Sequence, residues 1–100
     1  MEKNPETIIA EFNNIAASIY TATFDQFCES FRQIDRKRDE NVFRLQAAKY
    51  SDTLKYRLEE QAKEILESYH SPGISAKISP ALSATIHYFL QEFRHRSNAL

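Results

Sequence analysis

The chain has 100 residues, of which 42% are hydrophobic and 27% charged, and Gly73 is its single glycine. This length and composition predict one globular domain over residues 1–100. The scarcity of glycine excludes hairpin-rich β folds and glycine-rich nucleotide loops. The formal net charge of -1 gives no general attraction to nucleic acid or to an anionic membrane surface.

The first predicted helix covers about residues 5–37. Asn4 can cap it by accepting from an unpaired backbone N–H group, and Pro5 is well tolerated at the first helical position. Apolar residues then recur at the three- and four-residue steps of an amphipathic helix. They are Ile8, Phe12, Ile15, Ala16, Ile19, Tyr20, Phe24, Phe27, Cys28, Phe31 and Ile34.

The second predicted helix covers about residues 40–70 and follows seven polar residues at 35–41. Basic residues precede acidic ones in this stretch, which is the order expected where one helix ends and the next begins. Neither Gly nor Pro enforces a break there, so one continuous helix remains an alternative. The apolar positions of the second helix form a narrow seam between charged flanks, as in a coiled coil. They are Phe43, Ala47, Tyr50, Leu54, Leu58, Ala62, Ile65 and Tyr69.

The third predicted helix covers about residues 80–96 and opens at Ser79-Pro80, in the same way as the first. Pro72-Gly73 separates it from the second helix. Between them, residues 74–78 alternate apolar and polar side chains, and we expect this short segment to lie extended across the helices.

The expected architecture is all-α, with two long antiparallel helices and a shorter C-terminal helix. Two helices of roughly 30 residues are about 45 Å long, whereas the third helix would be about 25 Å long and would cover half of the hairpin. The uncovered apolar side chains then need another partner, because monomers rarely expose large apolar patches. A homodimer that completes a helical bundle is the simplest solution.

Catalytic, cofactor and metal sites are not indicated by any residue pattern. Cys28 lies between phenylalanines and has no neighbouring cation in sequence to lower its pKa, so it is interpreted as a small buried apolar residue. His87 and His95 are two helical turns apart, which is too far for them to share one metal ion. We therefore expect a non-enzymatic protein without a cofactor.

The predicted function is that of a helical protein–protein interaction module, such as an adaptor, an assembly factor or a chaperone-like protein. Its candidate interaction surface consists of Phe24, Phe27, Phe31, Arg32, Arg36 and Arg38. The aromatic residues would anchor a partner helix in a groove. The alternative is a nucleic-acid-associated regulator that binds phosphates through the basic segment, although acidic neighbours dilute that charge.

A cytoplasmic location is expected from three features. The chain has a lone cysteine, no apolar leader at its start and no run of 18 apolar residues.

Overall fold

The computed structural model describes residues 4–30, 32, 38–69 and 71–100. Three helices run through these residues: α1 (Pro5–Ser30), α2 (Glu40–Ser68) and α3 (Pro72–Ala99). Each helix packs against the other two, and together they form a rod of 55 × 19 × 17 Å. The prediction of an all-α, three-helix protein is confirmed.

The start of α1 is fixed by the predicted cap. The side-chain oxygen Oδ1 of Asn4 accepts a 2.8 Å hydrogen bond from the backbone N–H of Thr7. Pro5 occupies the first helical position, where its missing N–H group costs nothing. Glu6 adds a negative charge at the positive end of the helix dipole.

The break between α1 and α2 is present, which makes the alternative of one continuous helix wrong. Arg32 and Arg38 lie in turns, and Asp39 has the non-helical backbone angles φ -118° and ψ 41°. The predicted end of the first helix near residue 37 lies outside the described residues, and α1 as described ends at Ser30. The Ser30 hydroxyl donates a 2.6 Å hydrogen bond to the carbonyl of Phe27, and such local bonds compete with continued helix.

The third helix begins eight residues earlier than predicted, since α3 starts at Pro72 and not at Pro80. The segment expected to lie extended is therefore helical. Ile74 and Ile78 are four residues apart, as are Ile78 and Leu82, so these side chains also lie along one helical face. Ile78 and Leu82 are both buried, and this burial selects the helix. Pro80 lies inside α3 on its exposed side.

The three helices run up, down and up. Phe27 in α1 packs against Phe43 and Tyr50 in α2, which together with the short connections sets these helices antiparallel. Helix α3 then runs parallel to α1, because Tyr20 packs against Phe89 and the next turn, Phe24, packs against Phe93.

The aromatic side chains of α1 face inward between α2 and α3. The buried apolar core takes residues from all three helices: Ile8, Phe12, Ala16, Tyr20, Phe24, Phe27, Phe43, Leu54, Leu58, Ala62, Ile78, Leu82 and Phe93. A full-length α3 thus covers the α1–α2 hairpin along its length. The expected half-covered hairpin, on which the argument for a homodimer depended, is not what this fold contains.

Candidate interaction surface

The predicted aromatic anchors lie in the core. Phe24 is 5% exposed and Phe27 is 0% exposed, and Phe27 packs against Phe93 at 5.3 Å between ring centroids. A partner could reach these rings only by opening the bundle. The longer α3 packs on that face through Phe93, so the structure places both rings in the core and not on an open surface. Phe31, the third predicted anchor, lies outside the described residues.

The predicted basic segment is described only in part. Arg32 is exposed, and its guanidinium lies 3.2 Å from the Glu29 carboxylate one turn earlier in the chain. Arg38 is also exposed, at the turn before α2, whereas Arg36 lies outside the described residues. An exposed pair of this kind contributes little stability, and it partly neutralises the positive charge of Arg32.

Exposed apolar side chains lie instead along the outer side of α2. Leu45 is 71% exposed, Tyr56 is 66% exposed and Val42 is 42% exposed. They belong to a row of exposed residues at alternating steps of three and four, which we call the outward seam. Its members are Val42, Leu45, Lys49, Asp52, Tyr56, Glu59 and Lys63.

The position of the outward seam follows from helical geometry. The buried residues of α2 are Phe43, Leu54, Leu58 and Ala62. With about 100° of rotation per residue, the seam lies about 180° around the helix from this buried face. The seam therefore points away from α1 and α3, and neither of these helices can cover it.

Polar groups surround the apolar positions of the seam. Leu45 is followed one helical turn later by the exposed Lys49. Around Tyr56, the side chains of Asp52, Lys55, Glu59 and Glu60 form a shallow depression of about 370 Å³. Apolar centres with charged rims are typical of protein–protein contact surfaces.

The other exposed large apolar residues do not form such a row. Ile15 lies on α1, and Leu100 follows the end of α3. Tyr88 lies on α3, where its ring packs edge-on against Phe89 at 5.1 Å beside the Asn13–Thr85 hydrogen bond. Single exposed apolar residues of this kind are common on protein surfaces.

Cys28 is partly buried on α1 and packs against the core. Burial raises the pKa of its thiol, and the nearby Asp25 carboxylate raises it further, while Arg96 opposes both effects. A raised pKa keeps the thiol protonated at neutral pH, which disfavours nucleophilic chemistry. Among residues 4–30, 32, 38–69 and 71–100, no group of His, Cys, Asp and Glu is arranged to hold a metal ion.

The outward seam has a signal of its own in the sequence, separate from the main apolar pattern of the second helix. The apolar pattern of the second helix was traced through Phe43, Tyr50 and Leu54, which proved to be the core side or its edge. Val42, Leu45 and Tyr56 fall outside that pattern but keep a spacing of their own.

The chain matches no protein-family model, no curated protein and no solved structure. Within the described part of the chain, no helix has both the length and the apolar character needed to cross a bilayer.

Proposed function

We propose that this protein is a non-enzymatic interaction module whose outward seam on α2 binds another protein. Helix α2 packs against α1 and α3 along its other side, so the seam is presented as one preformed helical surface. Binding to such a surface loses little conformational entropy, because only side chains have to be ordered.

The exposure of Leu45 is the observation that carries this proposal. Leu45 lies between Val42 and Lys49 in the outward seam. Its side chain is 71% exposed and is not part of the core of the bundle. Fully burying such a side chain against a partner is worth about 1.5–3 kcal/mol. Val42 and Tyr56 extend the same line, so one partner helix could cover all three positions.

The proposal differs from the sequence-based hypothesis in its surface but not in its class. The aromatic residues Phe24 and Phe27 stabilise the module, and the partner contacts are assigned to Val42, Leu45 and Tyr56. Since the seam mixes Lys49 and Lys63 with Asp52 and Glu59, its charge suits a protein helix of mixed charge better than a phosphate backbone.

Affinity capture with matched baits tests this proposal. The baits are the wild-type chain, Leu45→Glu and, as a control, Tyr88→Glu, which adds the same charge at an exposed aromatic position on α3. We expect wild type and Tyr88→Glu to retain the same partner, and Leu45→Glu to lose it. The same proteins bound by all three baits would contradict the assignment of the seam.

A further inference from the structure

We propose that a second copy of this chain packs on the outward seam, antiparallel, so that Leu45 of each copy contacts Tyr56 of the other. This inference rests on the proposed function and names the partner of the same surface. The two-fold axis passes between the two α2 helices, level with the midpoint between Lys49 and Asp52. Both copies then contribute the same residues, as in any isologous dimer.

The spacing of the seam places complementary residues opposite each other in this arrangement. Steps of three and four residues correspond to a heptad repeat. When two such helices pack antiparallel, each seam residue of one helix lies opposite one seam residue of the other, and each such pair forms a layer. About the proposed axis, Leu45 lies opposite Tyr56 of the other copy, and Lys49 lies opposite Asp52. Symmetry produces each of these layers twice.

The charges at the centre of the seam select the antiparallel orientation. In a parallel pair with equal register, Lys49 would lie against Lys49 and Asp52 against Asp52 of the other copy. Like charges that face each other across an interface are unfavourable, and they suppress the wrong pairing. The antiparallel pair replaces both repulsive layers with oppositely charged ones.

The same residues select one register among the antiparallel ones. A shift by one heptad in either direction places Leu45 opposite Lys49 or opposite Lys63 of the other copy. Leucine would then bury its apolar surface against an ammonium group and displace the water around that group, at a cost. Of these three registers, only the proposed one pairs Leu45 with an apolar residue and Lys49 with an acid. Its outermost layers pair Val42 with Glu59.

Small residues beside the central layers allow two α2 helices to approach. Ala48 and Thr53 flank the seam on its two sides. The Thr53 hydroxyl donates a 3.0 Å hydrogen bond to the carbonyl of Lys49, so this donor already has a partner when water leaves. Neither side chain extends far enough to hold the helices apart.

The length of the contact sets the expected affinity. The seam from Val42 to Glu59 is about 26 Å long at 1.5 Å per residue. Such an interface belongs to the smaller class of specific contacts, for which dissociation constants of about 1–100 µM are reasonable. The dimer should therefore form at high concentration and dissociate on dilution.

Sedimentation equilibrium of charge-exchanged variants tests the orientation and the register. Lys49→Asp alone and Asp52→Lys alone each place like charges in the two central layers. We expect both to weaken dimerisation at least tenfold, and the double variant Lys49→Asp/Asp52→Lys to restore it. Lys77→Asp on α3 is the matched control and should dimerise like wild type, and circular dichroism should show every variant folded.

Three results would overturn the inference. They are a wild-type chain that stays monomeric to 1 mM (about ten times the weakest dissociation constant expected), a Leu45→Glu variant that still dimerises, and a double variant that does not recover. If the wild type stays monomeric while Leu45→Glu still loses a captured protein, self-pairing is wrong and the proposed function stands. If Leu45→Glu changes neither dimerisation nor capture, both the inferred dimer and the proposed function are wrong.

Discussion

Arg57 in α2 donates a 2.9 Å hydrogen bond from Nη1 to the hydroxyl of Thr23 in α1, and Thr23 is completely buried. The same nitrogen lies 3.0 Å from Oε1 of Gln26. This polar contact crosses an otherwise apolar helix pair and favours one register of α1 against α2, since a buried hydroxyl that loses its partner costs about 1–3 kcal/mol.

Replacing Arg57 with methionine should destabilise the bundle. The change keeps an unbranched apolar stem but removes the donor to Thr23, so we expect a loss of about 1–2 kcal/mol in the free energy of unfolding. Urea denaturation, monitored by circular dichroism, measures this loss in the free energy of unfolding. Lys55→Met, two residues away on the exposed side, should stay within about 0.5 kcal/mol of wild type. Equal effects of the two changes would mean that the hydrogen bond does not stabilise the fold.

Phe27 is the centre of the aromatic core. Its ring lies 5.3–6.0 Å, between centroids, from the rings of Phe24, Phe43, Tyr50 and Phe93. Phe27→Ala should therefore cost about 3–5 kcal/mol, a large part of the stability of a domain of this size. Phe27→Leu should cost clearly less, because it leaves a smaller cavity. If the alanine variant unfolds at the same urea concentration as wild type, the core is not arranged as described.

The existence and class of the three helices, and the start of α1, could be predicted from the sequence, but the start of α3 could not. The cap at Asn4 is a local signal, because the side chain and the N–H group it binds are three residues apart. The start of α3 is a tertiary outcome. Ile74 and Ile78 fit an extended segment as well as a helix, and only packing against the other helices decides between them.

Pro80 provides a direct test of this corrected boundary. Inside a helix, proline removes a backbone hydrogen bond and is about 3 kcal/mol less favourable than alanine. Replacing Pro80 with alanine therefore stabilises the helix. Part of this stabilisation is offset, because alanine leaves the unfolded chain more conformational freedom. Pro80→Ala should thus raise the melting temperature by several degrees, at about 4–8 °C per kcal/mol. If α3 began at Pro80, proline would be favourable there, and the substitution would leave the melting temperature unchanged or lower it.

The candidate surface was harder to predict than the fold. Sequence periodicity shows that α1 is strongly apolar on one side, but it does not show which helix covers that side. Phe27 was assigned to a partner because α3 was expected to be short. Leu45 does not stand out in the sequence, because its neighbours in the seam, Val42 and Lys49, do not form a continuous apolar stripe. Only the folded bundle distinguishes the two residues, because Phe27 is buried in it and Leu45 is exposed.

The environment of Cys28 predicts that its thiol reacts slowly with alkylating reagents. Because burial and Asp25 raise its pKa, alkylation by iodoacetamide near pH 8 should be slower in the folded protein than in urea. Asp25→Asn removes the second of these causes and should speed the reaction, whereas Arg96→Gln should slow it. A folded pKa above the unfolded one stabilises the fold only while the thiol is protonated. This contribution is therefore lost as the pH rises through the folded pKa. Equal alkylation rates in folded and unfolded protein would contradict this description.

Site-specific photo-crosslinking tests the role of the outward seam most directly. A photoreactive phenylalanine derivative replaces Leu45 in one variant and Lys77, on the exposed side of α3, in the control. The seam account predicts a crosslinked product at position 45 and none at position 77. A product of twice the chain mass identifies a second copy, and any other mass identifies a different partner. If position 45 gives no product in cells or at millimolar protein concentration, the seam is ordinary solvent-exposed surface and the account is wrong.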